Sequence, residues 1–422
     1  MRKAYFIRLK ESWRAEPYSD PPLGLLSVMA EAKNISGLEI GFIDMAHETK
    51  IPKADIYGIS ACTLDFPELI KVSNRIKDMY GGDSKIIVGG PHFDSIDELY
   101  WKIDIKDNMP VDVICRGEGE YTFRKAIDAP TNSVITQTGL LDLDLFAGPA
   151  FEFLDKDKYF NKKSSTLMTS RGCPYHCTFC ASPTLHKQKV RFRSVDNVEK
   201  DLDNLIKEYG VNEIRWQDDC FTINKPRFEK LSHMLSTKGI TYRCSMRVDQ
   251  VDNNTLNLLK KSSCKEIGFG IESAEDNILQ NYLNKRTTVS QNKYALKITK
   301  KEGFKTRAFI MIGLPGENKD SAKKMIEFLE ETNPDVVTLT SFMPLPGCDI
   351  YNKPENYGVT ILDNDWAKYD IALKLAPNAP FVHRINTATI EEMEINREML
   401  KEYLFNKGKS NVAAYNKPYN KK

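Results

Sequence analysis

Short β-branched runs alternate with helix-forming stretches along most of this 422-residue chain. That alternation limits its fold more than any bulk property does. Strands that recur with a crossover helix between them pair in parallel and bury both faces. In the first part, strands are expected at Ala4 to Arg8, Glu39 to Asp44, Asp55 to Ser60, Lys85 to Val88 and Val111 to Cys115. Six more are expected before residue 350: Ser165 to Ser170, Glu213 to Gln217, Thr241 to Ser245, Glu266 to Ile271, Thr306 to Ile312 and Val336 to Ser341.

This is the pattern of an α/β chain. It predicts a Rossmann-like, doubly wound parallel sheet over 1–135, a connector over 136–160, a partial barrel of six βα units over 161–355, and a short helical extension over 356–422. Helices are expected from Pro21-Pro-Leu-Gly-Leu-Leu onward and over Pro67 to Met79, the latter ended by Gly81-Gly82. Ser194 is placed to cap a helix running through Val198, Leu202 and Leu205 to Gly210, and Ser290 and Gly303 bracket another. An amphipathic helix over Ile390 to Leu404, with Met393, Ile395, Met399 and Leu400 as its apolar residues, is expected across the barrel mouth.

After the first barrel strand comes Arg171-Gly-Cys-Pro-Tyr-His-Cys-Thr-Phe-Cys180. Three thiolates this close on one loop, Cys173, Cys177 and Cys180, can converge on a soft metal centre. A cube of four irons needs four ligands, so three cysteines leave one iron open to an outside ligand. His176 lies between the cysteines and offers a competing reading, a Cys3His zinc knuckle in a binding or scaffold protein.

The C-x-x-x-C-x-x-C spacing, with Phe179 just before the last cysteine, resembles the radical S-adenosylmethionine (radical SAM) superfamily. The resemblance implies a [4Fe-4S] cluster on Cys173, Cys177 and Cys180, with S-adenosylmethionine chelated to the fourth iron and cleaved to a 5'-deoxyadenosyl radical. Phe179 would lie against the adenine.

Active sites of parallel barrels gather at the carboxyl ends of the strands, so the residues after each strand are the candidates for contact with S-adenosylmethionine. Asp218 and Asp219 follow the second strand, where the family contacts the methionyl amine; whichever of the two points away is read as a helix N-terminal acid. Ser245 and Arg247 end the third strand, and Arg247 is read either as the partner of the methionyl carboxylate or as half of a surface ion pair. Glu272 and Ser273 end the fourth, where the resemblance implies an acid and a hydroxyl beside the ribose. Gly313 ends the fifth, lacking a side chain where a flat adenine would approach. Cys348, after the sixth, is read as a buried structural thiol or as a hydrogen donor to a substrate radical.

Pro21-Pro-Leu-Gly-Leu-Leu, Gly89-Gly-Pro-His and Arg116-Gly-Glu-Gly-Glu resemble the N-terminal cobalamin-binding domain of cobalamin-dependent radical SAM enzymes. The resemblance implies Ser60, Thr63, Gly89, Gly90 and Glu118 as neighbours of a corrinoid's nucleotide tail. Asp44-Met-Ala-His47 departs from the cobalt-ligating Asp-x-His-x-x-Gly pattern by one residue and a missing glycine, so His47 is read as an ordinary polar residue. The competing reading is a domain that keeps this fold without a corrinoid.

Composition narrows the rest. Lys and Arg number 60 against 58 Asp and Glu, so no global field marks a nucleic-acid or other polyanionic partner. The basic tail from Lys407 to Lys422 reads as a frayed, solvated end. No apolar run is long enough to span a bilayer, and Met1-Arg-Lys-Ala-Tyr-Phe-Ile-Arg begins a strand rather than a leader, which suggests the cytoplasm. Nine cysteines, six of them scattered as Cys62, Cys115, Cys220, Cys244, Cys264 and Cys348, suit a reducing compartment. A transfer-RNA methylthiotransferase fits poorly, since only Cys62 and Cys115 precede residue 150.

The expected activity is hydrogen abstraction from a small-molecule or peptide substrate, with methyl transfer from cobalamin or a cobalamin-free rearrangement or cyclisation. An electron donor such as flavodoxin or ferredoxin would supply the reduction.

Overall fold

A computed structural model describes residues 1–11, 16–107, 109–369 and 379–409, with the side chains of 103–107 excluded. The basic tail beyond 409 lies outside the described residues. The chain divides into two compact units, Met1–Ser165 with Arg191–Tyr209, and Thr166–Val190 with Gly210–Lys422. The stretch 136–160 falls within the first unit, as does the helix after the cysteine loop.

The first unit is built on six parallel strands: β1 (Arg2–Arg8), β2 (Leu38–Asp44), β3 (Ile56–Ser60), β4 (Lys85–Gly89), β5 (Val113–Arg116) and β6 (Ser133–Thr136). Their order is β2-β1-β3-β4-β5-β6. The order reverses between β1 and β3, and in doubly wound sheets the carboxyl edge beside such a reversal forms a ligand crevice. β3 is buried along nearly all its length, as a central parallel strand should be. Ile7, Ile43, Ile59, Val88 and Ile114 share a core with Leu69, Val72 and Ile76 of the helix Phe66–Tyr80. That helix opens with a proline in its first turn and closes at Gly81, as the sequence predicts. β6 was not expected, because its four residues, Ser-Val-Ile-Thr, lie at the sheet edge, three half-buried and Thr136 exposed.

The second sheet is curled, with six strands in the order β12-β11-β10-β9-β8-β7: β7 (Ser164–Leu167), β8 (Glu213–Trp216), β9 (Thr241–Met246), β10 (Cys264–Glu272), β11 (Lys305–Ile312) and β12 (Val336–Ser341). Each expected barrel strand is present, though the first ends at Leu167 rather than Ser170. In β9, β11 and β12 buried residues alternate strictly with half-buried or exposed ones, so every second side chain packs under the outer helices. The remaining positions face the concave interior. A small antiparallel pair, Val359–Ile361 with His383–Ile385, follows β12.

Helix ends follow their capping chemistry. Ser194 accepts from the Asn197 amide at 3.2 Å, as expected. The helix Val289–Lys301 is capped two residues earlier than expected, by Thr288, whose side chain and that of Gln291 form a reciprocal capping box; Ser290 is already inside the helix. The C-terminal helix Ile390–Asn406 buries Met393, Leu400 and Leu404, but Ile395 and Met399 face solvent, contrary to the expected apolar stripe. Its buried face instead includes Asn396 and Arg397, which donate to the carbonyls of Asn318 and Ala379. The helix packs on the helix Ser321–Thr332 and on β11 and β12.

Candidate active site at the carboxyl ends of the curled sheet

The cysteine loop is anchored through main-chain atoms. Thr178 donates its amide to the Leu283 carbonyl at 3.0 Å, and its own carbonyl accepts from the Ile350 amide at 3.0 Å. The Thr178 hydroxyl donates to the Tyr282 carbonyl, and Asn284 Nδ2 to the carbonyl of His176. All three cysteines are partly exposed. A cavity of about 480 Å³ opens beside the loop, lined by Cys177, Cys180, Gln280, Asn284, Asp349 and Tyr357 among others.

Burial raises the pKa of each thiol, that of Cys180 to about 12; Cys177 also opposes the ionisation of Cys173, and both oppose that of Cys180. Lys285 and Arg247 act the other way on Cys177, favouring its thiolate. Three mutually repelling sulfurs flanked by cations fit a polynuclear cluster, which takes its ligands at separate corners. Among the described residues no three His, Cys, Asp or Glu side chains converge as a single ion requires, and His176 is exposed. The donor set therefore suits an iron–sulfur cube better than zinc.

Around the loop the structure gathers some of the expected residues. Arg247 lies over the Tyr175 ring, 3.7 Å from its centroid, pairs with Asp249 at 2.8 Å and donates to the Lys285 carbonyl. Glu272 is buried, pairs with Lys285 at 3.1 Å, and has a positive φ of 63°. The register between β10 and β11 shifts between Gly270 and Glu272, so a bulge turns this carboxylate toward Lys285. Phe179 packs against the apolar cluster of Ile278, Leu283, Leu314 and Phe381, with Lys285 Nζ 5.9 Å from its ring centre.

The paired carboxylates point to different places. Asp218 is buried and accepts from the Thr169 amide and hydroxyl and from the Ser170 hydroxyl, so it braces the approach to the cysteine loop. Asp219 is exposed, accepts from the Ser182 hydroxyl at 2.7 Å, and lies close enough to Cys173 and Cys180 to oppose their ionisation. Ser245 lines the concave interior. The Ser273 hydroxyl accepts from the Glu275 amide and serves a turn. Cys348 caps a short helix by accepting from the Tyr351 amide, and burial raises its pKa to about 12.

Gly313 is required by the packing around it. Its φ is +84°, and a β-carbon there would stand 2.9 Å from Phe381 Cε1, so protein packing fills that space. Its amide donates to Glu317 Oε2 at 2.8 Å and its carbonyl accepts from His383 at 2.7 Å.

Lys285, Tyr175 and Glu317 escaped the sequence reading; none stands directly after a strand. Glu317 is fully enclosed, and burial raises its pKa to about 8. Because its folded-state pKa exceeds the unfolded value of 4.5, stability falls as pH rises through that interval, by about a few kcal/mol. Glu317→Gln should keep the Gly313 contact and flatten the stability profile between pH 4.5 and 8, as read by urea denaturation.

The candidates in the first unit lie at the carboxyl edge of its sheet. Ser60, Gly89 and Gly90 are half-buried there. A β-carbon on Gly90, whose φ is +105°, would meet the Ala61 carbonyl and Ser60 Oγ at 2.7 Å. Thr63 is buried and bonded to His92 Nδ1, and Glu118 is paired with Arg191. His47 bonds Tyr18.

Residues 167–329 match the family model described as the radical SAM superfamily. An uncharacterized methyltransferase of Pyrococcus horikoshii is 30% identical over 384 residues, covering 83% of this chain and 81% of that protein. The chain belongs to the radical SAM superfamily. It is therefore an enzyme, and this family uses a [4Fe-4S] cluster and S-adenosylmethionine.

Among further relatives, the anaerobic magnesium-protoporphyrin IX monomethyl ester cyclase of Rubrivivax gelatinosus is 26% identical over 351 residues, 75% of this chain and 61% of that one. Cytidylyl-2-hydroxyethylphosphonate methyltransferase of Streptomyces wedmorensis is 25% identical over 59% of this chain, which spans 49% of that relative. In fold the chain is similar to the radical S-adenosylmethionine methyltransferase TsrM of Kitasatospora setae, with a TM-score of 0.64 at 14% identity, covering 85% of this chain and 77% of TsrM. No described helix is long and apolar enough to cross a membrane.

Proposed function

We propose that this radical SAM enzyme binds cobalamin and transfers a methyl group to a small molecule or peptide. The observation that carries the reading is the parallel sheet of the first unit, whose carboxyl edge presents Ser60, Gly89 and Gly90 with little side-chain bulk. The names of the Pyrococcus and Streptomyces relatives, both methyltransferases, and of TsrM support it.

In this reading Cys173, Cys177 and Cys180 hold the cluster, and a donor such as flavodoxin or ferredoxin reduces it. When bound, the cluster supplies the electron that cleaves S-adenosylmethionine to a 5'-deoxyadenosyl radical, which abstracts hydrogen from the substrate. Asp219 is the available acid for the methionyl amine. Arg247 and Lys285 hold positive charge beside Cys177, and Phe179 walls the site with apolar surface that excludes water. Ser60, Gly89 and Gly90 would lie along the corrinoid's nucleotide tail.

The name of the Rubrivivax relative, a cyclase, favours a second reading, radical cyclisation or rearrangement without methyl transfer. Protein purified anaerobically after growth with cobalamin should retain about one corrinoid per chain, and Gly90→Ala should weaken retention about tenfold while leaving cluster absorbance unchanged. A wild-type protein free of corrinoid would end the methyl-transfer reading in favour of the second.

A further inference from the structure

The concave interior of the curled sheet holds a cavity of about 400 Å³. Its walls carry Arg215 from β8, Arg243 from β9 and Arg307 from β11, facing only Glu266 and Asp218 as acids. Both acids are already committed. Glu266 Oε1 accepts from Arg307 Nε at 2.6 Å, and its other oxygen pairs with Lys305 at 3.2 Å. Asp218 is turned to Thr169 and Ser170. Arg307 also donates to Thr338 Oγ1 at 3.1 Å.

Arg243 differs from its neighbours. Its Nε is buried with no hydrogen-bond partner, and among the described residues the side chain forms no ion pair. A guanidinium presents its donors as a rigid fork that matches two oxygens of one anion. Buried donors in native proteins are normally satisfied, so one left over at a cavity wall marks the place of a missing acceptor. Gly268 lines the same cavity, and the Phe309 ring packs over it, 2.7 Å from where a β-carbon would stand. Gln217 and Ser245 carry the cavity up to the carboxyl ends of β8 and β9, where the cysteine loop begins its work.

We infer that this cavity seats an anionic group of the substrate, a carboxylate or a phosphoryl group, on the fork of Arg243. That the anion belongs to the substrate rests on the radical SAM reading of the site above. Recognition of the anion by Arg243 does not, and can be measured without turnover.

The test uses the reconstituted enzyme and three probes of matched size, butyrate, propylphosphonate and the neutral butyramide, with binding followed by calorimetry. Wild-type enzyme should bind at least one anion, and butyramide at least tenfold more weakly, which is about 1.4 kcal/mol. The better of the two anions identifies the group. Arg243→Gln should lose about tenfold or more of the anion affinity, while Arg243→Lys, which keeps the charge but loses the fork, should fall between. Circular dichroism on both variants separates lost recognition from lost fold.

Butyramide binding as tightly as the anions, neither anion binding at millimolar concentration, or a folded Arg243→Gln variant binding them like wild type would overturn the inference. Wild-type release of 5'-deoxyadenosine is scored separately. Arg243-dependent anion binding in an enzyme that never releases it would leave the cavity assignment standing and remove the reading of the reaction.

Discussion

Cys177→Ala is expected to abolish release of 5'-deoxyadenosine from S-adenosylmethionine under reducing, oxygen-free conditions. The loop has three thiols to offer, and a cube held by two is open at two corners and readily lost. Lys285 and Arg247 oppose the burial that raises the Cys177 pKa, so its loss removes a ligand flanked by two cations. The fold should survive, because the turn is held by the Cys177 carbonyl, which accepts from the Cys180 amide at 3.1 Å, and by the main-chain contacts of Thr178. Iron content and visible absorbance should fall along with product, while circular dichroism stays as in wild type. Cys264→Ala, at a buried thiol within β10, serves as the control and should keep both cluster and product. Unchanged turnover in Cys177→Ala would overturn the assignment of this ligand.

The largest stability effect is expected at Lys285. Replacing it by alanine leaves the buried Glu272 carboxylate without its cation, a change that costs about 3–5 kcal/mol when one partner of an enclosed pair is removed. The bulge and positive φ at Glu272 fix the carboxylate in place, so it has little freedom to swing out to water. Adding Glu272→Gln to Lys285→Ala should restore much of the loss, because the double variant no longer buries an unmatched charge. Urea denaturation followed by tryptophan fluorescence reads both. A loss below about 1 kcal/mol in the single variant would mean that water reaches the pair.

What the chain discloses before folding depends on the range over which its signals act. Parallel strands with both faces covered appear as continuous apolar runs, so β3 and β4 are plain in the sequence, whereas β6, short and half-wet at an edge, carries no such mark. The cysteine triplet is legible because its spacing is local. Lys285 meets Glu272, thirteen positions earlier in the chain, and nothing near it in the chain foretells the meeting. Asp218 and Asp219 show the same limit at the smallest scale: two adjacent acids face opposite surroundings, and only the fold decides which is buried. The C-terminal helix was misread because Arg397 lies on its buried face while Ile395 does not, an inversion that hydropathy alone cannot signal.

The anchoring of Thr178 through amide and carbonyl groups bears on how this protein can diverge. Peptide atoms are common to every residue type, so this grip on the turn does not itself depend on the side chains at positions 282, 283 and 350. Descendants that share few letters here can keep one geometry, and the historical record of this site is written in backbone shape more than in spelling.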